Sequence, residues 1–224
     1  MSPLRLLRAA AARGLDCIAV TDHDSLRGAV ECARLSAMDP MLPRVIPGEE
    51  IRTSAGEIVG LYLCEEIPGG LSPLETLARI REQGGLVYLP HPLDGVRGAA
   101  IDGESLEAVA RAADVIEVSN GRSLRPSYSR KALDLAARLG KPVGAGSDAH
   151  FEREVGRAYM EVPGLPEQTD LLELLRVGRP SPDMGPLDTA LGWAFCLTTA
   201  ATKAGRRLRR PRLHSGATGK KNKT

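Results

Sequence analysis

The sequence predicts an α/β domain in which short strands alternate with amphipathic helices around a parallel sheet. Three observations point there. Ala/Leu/Arg-rich segments of helical period alternate with short runs rich in Val, Ile and Leu. Glycines punctuate the ends of the helical segments, at Gly14, Gly84-Gly85 and Gly140. The apolar runs repeatedly deliver a His, Asp or Glu at or just after their last residue. With 224 residues, 42% of them hydrophobic, the chain can bury one substantial core without disulfides or metal staples.

Ser2 to Arg13 reads as the first helix, with Ser2-Pro3 as cap and first-turn pair. Cys17 to Val20 is a buried strand that runs out into Thr21-Asp22-His23-Asp24, and a second helix begins near Ser25 and reaches Met38. Val45-Ile46 leads into Pro47-Gly48-Glu49-Glu50, and Glu57 to Leu63 reads as the following strand. Pro73 to Gln83 forms a helix, after which Leu86 to Leu89 carries Pro90-His91-Pro92. Val115 to Val118 brings Ser119-Asn120. A helix from Ser127 to Leu139 then precedes the strand Val143 to Ala145, which delivers Ser147-Asp148-Ala149-His150. Five strand ends are thereby expected on one face, the face where rigid strands present loops free of core duties. Toward the C-terminus, Leu171 to Val177 is a helix, Gly178 to Pro182 a linker and Leu187 to Thr202 a short apolar helix in which Trp193 and Phe195 pack. The domain plan is thus a catalytic domain over 1–180, a helical extension over 181–202 and a basic disordered tail over 203–224.

Composition narrows the functional classes. Cys17, Cys32, Cys64 and Cys196 are widely spaced with no C-x-x-C pair, which argues against a zinc ribbon or a disulfide framework and fits a reducing cytoplasm. The longest apolar stretch, Ala190 to Ala201, is too short and mixed to span a bilayer, so no membrane partner is expected. Net charge is +2, yet from Lys203 onward the chain carries Lys and Arg with no acid. That tail either makes weak nucleic-acid contact through phosphates or is simply solvated. Aromatics make up 3% of the chain, leaving few platforms on which single-stranded bases could stack.

Of four histidines, three (His23, His91 and His150) stand at strand ends close to acids or a proline. A single such His is more often a hydrogen-bonded structural residue. The three together with Glu50, Glu57 and Asp148 form a mixed imidazole–carboxylate set suited to zinc, manganese or iron. Arg122, Arg125 and Arg153 follow these positions and match phosphate oxygens bidentately, or are solvated loop arginines.

Thr21-Asp22-His23-Asp24, Gly48-Glu49-Glu50-Ile51, the run from Gly84 to Pro92 and Gly146-Ser147-Asp148-Ala149-His150 resemble, in order and spacing, the successive motifs of the PHP (polymerase and histidinol phosphatase) family. The resemblance covers about residues 2 to 180 and is closest to the stand-alone PHP phosphoesterases. It implies a distorted seven-stranded (β/α) barrel, a (β/α)7 PHP fold, with two or three divalent ions at its mouth. By position His23, Glu50, His91, Asp148 and His150 look like metal ligands, with Glu50 bridging. Glu49 is then a neighbour that points away. Glu57 occupies a slot held by His in many relatives, and is either a variant ligand or an ordinary strand-start acid. His91, Asp148 and His150 are the catalytic candidates; Asn120, Arg122 and Arg153 are candidates for holding substrate, and Glu117 for a substrate or supporting role.

Relatives open with a strand bearing H-x-H and an acidic loop, whereas the motifs here begin at the helix that follows. The expected barrel therefore lacks its first strand. Two expectations follow. One is a hydrolase that cleaves a phosphoester in a small phosphomonoester, nucleotide or oligonucleotide end with metal-activated water. The other is a catalytically inactive PHP-fold binding or scaffold module.

Overall fold

The structure, a computed structural model, describes residues 1–94, 101, 103–123 and 126–181, the side chains of Glu104 and Pro126 excepted. Helix α1 (Pro3–Ala12) starts with Pro3 in its first turn and buries Leu7 and Ala10; Ser2 sits at the cap position with its side chain unengaged. Gly14, at φ +71°, turns the chain out of the helix. Strand β1 (Cys17–His23) runs longer than its apolar residues suggest, because its pairing with β2 (Arg44–Thr53) continues parallel to the register His23↔Glu50. Helix α2 (Arg27–Met38) begins two residues after Ser25. Asp24 adopts a left-handed φ of 48°, and Ser25 Oγ and the Leu26 amide both donate to Glu66 instead of starting the helix.

The all-parallel expectation fails at β3 (Gly56–Leu61), which pairs antiparallel with both β2 and β4 (Leu86–Leu89). Its connection to β2 is a tight turn, shaped by Thr53 Oγ1 donating to the Gly56 carbonyl (2.6 Å) and accepting from the Ala55 amide (3.1 Å). So short a link cannot hold the crossover that parallel neighbours require. Helix α3 (Pro73–Glu82) opens on a capping box between Ser72 and Glu75. Helix α4 (Gly103–Ala112), which the sequence reading left unassigned, leads to β5 (Val115–Asn120). Helix α5 (Pro126–Leu139) leads to β6 (Val143–Gly146). Beyond a 3-10 turn (Glu152–Glu154), β7 (Met160–Glu161) pairs with β8 (Arg179–Pro180), and α6 (Leu171–Val177) lies between them in the chain. The segment read as a linker is therefore partly a strand: the Ser181 amide donates to the Tyr159 carbonyl and Ser181 Oγ accepts from the Tyr159 amide. The expected helix over Leu187–Thr202 and the basic tail lie outside the described residues.

The main sheet has the order β1-β2-β3-β4-β5-β6 and curls into a half-barrel, with β1 and β6 as its edges among the described residues. Strand alternation divides it into two faces. Residues on the convex side (Val20, Ile51, Ile58, Val87, Leu89, Ile116) pack under helices α1 to α5 in one core. The concave side holds Ile46, Val59, Leu61 and Val115, and Leu171 and Leu175 of α6 pack into the same cluster. Full burial of such a side chain contributes about 1.5–3 kcal/mol, so α6 acts as a structural plug beneath the concave face. The register then places His23, Glu50, Glu57 and Glu117 on that same face, nearer the mouth. No helix among the described residues is long and apolar enough to cross a membrane.

Candidate metal centre

The antiparallel course of β3 has a chemical consequence. Parallel β1 and β2 bring His23 and Glu50, near their C-terminal ends, to the mouth, and β3, reversed, brings Glu57, near its N-terminal end, to the same mouth, two residues beyond the His23–Glu50–Val59 register. One ligand atom from each of His23, Glu50 and Glu57 lies within 4.8 Å of the others. His91, just past β4, enters from the other side. Glu50 directs Oε2 at His23 Nδ1 (3.4 Å) and Oε1 at His91 Nε2 (3.2 Å). Glu57 repeats the pattern, with Oε1 3.6 Å from His23 Nδ1 and Oε2 3.7 Å from His91 Nε2. Two carboxylates thus span the same pair of imidazoles. His91 forms the buried floor, its side chain 5% exposed, and His23 the rim at 32%.

These groups are costly neighbours when nothing lies between them. Burial, and then the charge of Glu50, push the Glu57 carboxyl above its usual range, only partly offset by His23 and His91. Burial works to lower the His91 pKa. The hydrogen bond to Glu50 and the charges of Glu117, Glu50 and Asp148 outweigh it and lift the imidazole to about 9. His23 Nδ1 is buried without a hydrogen-bond partner although two carboxylate oxygens face it. An orphaned imidazole nitrogen, paired carboxylates and mixed N/O donors fit a divalent cation, which would satisfy the nitrogen and offset both negative charges.

Asp148 and His150 follow β6. Asp148, at φ 48°, lies close enough for its charge to act on both Glu57 and His91. His150 Nδ1 lies 3.0 Å from the Asp148 carbonyl and 3.5 Å from Asp148 Oδ1, and it also meets Arg122 Nη1. His150 Nδ1 thus faces both an acceptor, the Asp148 carbonyl, and a donor, the Arg122 guanidinium. The His150 loop is held from below by buried Glu154, whose Oε2 accepts from the amides of His150 (2.7 Å) and Phe151 (3.1 Å). Arg122 is buried, and its amide donates to Asn120 Oδ1 (2.9 Å). Arg153 lies over the Phe151 ring, 5.5 Å from its centroid. Arg125 is outside the described residues.

Alternation also explains which acids stay out of the cluster. Asp22 and Glu49 are register partners on the opposite face from His23 and Glu50. Glu49 Oε2 accepts from the Ile67 amide (2.9 Å), as expected of a residue pointing away. Asp22 reaches the first turn of α2, where a Cβ on Gly28 would collide with its carboxylate. Gly28 and Tyr88 were not singled out from sequence. A glycine interrupting a helical pattern was the available signal for the first. Tyr88 had none, since the Glu117 that its hydroxyl meets lies 29 residues away.

A family model described as PHP-associated matches residues 126–180. Two uncharacterized proteins of Methanocaldococcus jannaschii are similar in sequence. One is 45% identical over 123 residues, covering 52% of this chain and 50% of that protein; the other is 47% identical over 90 residues, covering 40% and 52%. The chain spans about half the length of these relatives. Among solved structures, PsfC of Pseudomonas syringae shares the fold with a TM-score of 0.59 at 18% identity, over 88% of this chain and 89% of its own. A two-domain protein of Bacteroides vulgatus, described as containing a predicted PHP-like metal-dependent phosphoesterase, also gives 0.59 at 18%, over 84% and 63%. An amidohydrolase of Chromobacterium violaceum with bound sulfate gives 0.55 at 18%, over 75% and 88%.

Proposed function

We propose that this chain, whose matched segment and fold support its place in the PHP domain family, is a metal-dependent hydrolase of phosphoesters. The observation that carries the reading is the doubled carboxylate span, with Glu50 and Glu57 each offering one oxygen beside His23 and the other beside His91. That arrangement suits two cations, with zinc, manganese and iron all compatible with the donors. When bound, such ions polarise phosphoryl oxygens and make water a nucleophile at neutral pH.

The chain's own residues supply the rest. Asp148 adds negative charge beside Glu57 and His91 and is the further ligand candidate. Arg122 places a guanidinium beside His150, where it would hold a phosphate oxygen. His150, beside Arg122 at the mouth, would protonate the leaving oxygen. Asn120 would act with Arg122 in placing the substrate. The substrate class is a small phosphomonoester, a nucleotide or an oligonucleotide end.

The test is release of p-nitrophenol from mono- and bis-p-nitrophenyl phosphate after loading with Mn2+ or Zn2+, comparing wild type with Glu50→Gln and His91→Ala. Turnover that requires metal and vanishes in both variants supports the reading. A folded, metal-loaded wild type that stays inert on both substrates refutes it in favour of a binding or scaffold module.

A further inference from the structure

Glu117 is a buried carboxylate, 5% exposed, that hydrogen-bonds to no side chain of the metal cluster, yet it lies at the centre of a hydrogen-bond network that reaches the His91 backbone. Its Oε1 accepts from the Tyr88 hydroxyl at 3.0 Å. Its Oε2 accepts from the His91 amide at 2.7 Å and from Asn120 Nδ2 at 2.9 Å. Burial raises the pKa of this carboxyl, and the bonds from His91 and Asn120 work against that shift. Space is made around this network. A Cβ on Gly144 would collide with the Tyr88 ring, and one on Gly146 would stand 2.6 Å from Glu117 Oε1.

Two features make the network more than core filling. His91 has a φ of 28°, a left-handed conformation that a non-glycine residue holds only when its surroundings impose it. The bond from its amide to Glu117 restrains that backbone on one side, as the Asp94 amide does at the His91 carbonyl (3.1 Å) on the other, and the side chain places Nε2 beside Glu50 and Glu57. In the other direction Asn120, held by Glu117 through Nδ2, accepts the Arg122 amide, and Arg122 meets His150. Glu117 therefore ties the floor of the cation cluster to the anion-binding side of the mouth.

We propose that Glu117 is a positioning residue: through the His91 amide and the Asn120 side chain it sets both the ligand direction of His91 and the placement of Arg122. The proposal rests on the reading that the His23–Glu50–Glu57–His91 cluster holds divalent cations.

Manganese affinity, measured by calorimetry and by loss of the free-ion EPR signal on the metal-free chain, tests it independently of turnover. Glu117→Ala should weaken Mn2+ binding by roughly 10–100-fold, the range for residues that orient a ligand from behind. Glu117→Gln should recover most of the affinity, because its carbonyl oxygen still accepts from His91 and Asn120 while its amide group faces a phenol able to accept. Ile80→Ala, in the convex core away from the network, should lower the melting temperature without changing the affinity. Should Glu117→Ala not fold, Tyr88→Phe decides, with a smaller loss of affinity in the same direction expected. Wild-type affinity in folded Glu117→Ala, or in Tyr88→Phe where that variant decides, overturns the proposal, as does a Glu117→Gln variant no better than the alanine. If wild type itself takes up no Mn2+, the reading of the site fails and this proposal with it.

Discussion

Loading the cluster with metal should expel a proton from His91, and the size of the effect follows from its surroundings. The imidazole titrates near 9 in the metal-free chain because Glu50, Glu117 and Asp148 outweigh its burial. A cation needs the neutral ring, so at pH 7 it competes with a proton bound about two units more tightly than the ambient pH favours. By the rule that one pKa unit is worth about 1.36 kcal/mol, apparent Mn2+ affinity at pH 7 should be about 100-fold below its value above pH 9, rising about tenfold per pH unit between. Calorimetry at pH 7.5, without oxygen, in two non-coordinating buffers of different ionisation enthalpy, counts the protons directly. About one proton per chain should leave His91, with any further release coming from Glu57, whose carboxyl is also raised. His91→Ala should lose the His91 share. An affinity flat between pH 7 and 8.5, with no protons released, would show that the Glu50–His91 pairing does not hold a proton and would sink the argument.

Three further outcomes are expected. Because His91 is raised from 6.5 to about 9, its contribution to the stability of the metal-free chain is fully present below pH 6.5 and lost as pH rises through 9. Urea denaturation should therefore show stability falling over that window, by up to about 3 kcal/mol from this group, and a profile rising with pH would contradict the assignment. Gly28→Ala should displace the Asp22 carboxylate and, through it, the end of β1 that carries His23. A loss of about 1–3 kcal/mol in stability together with weaker Mn2+ binding is expected, and a neutral outcome in both would refute the packing argument. If turnover is found, Arg122→Ala should raise KM for a phosphomonoester more than it lowers kcat, and Arg122→Lys should not restore it because a point charge cannot reproduce the guanidinium fork; unchanged KM would remove Arg122 from substrate binding.

Much of the fold was legible because it is local. Helix α3 carries its own start signal in Ser72-Pro73 with Glu75, and α6 was bounded by sequence at the residues it occupies, Leu171–Val177. Helix α4 escaped notice, and Arg179–Pro180 read as a linker because a two-residue strand takes its identity from its partner Met160–Glu161. Among the site candidates, His23, Glu50, Glu57 and His91 lie together at the mouth. Whether Glu57 was a ligand or an ordinary strand-start acid stayed open, since its place depends on the direction of a strand.

The sequence by itself determined the candidate residues and, through the period of two, which neighbours within a strand part to opposite faces: His23 from Asp22 and Glu50 from Glu49. Tertiary structure decided what those residues meet. The reversal of β3 put Glu57 at the same mouth as His23, and pairing across β4 and β5 set Glu117 behind the His91 amide, 26 residues away. Side-chain alternation is written into each strand by its own backbone, whereas contacts between strands exist only once the sheet has curled and brought distant segments into register.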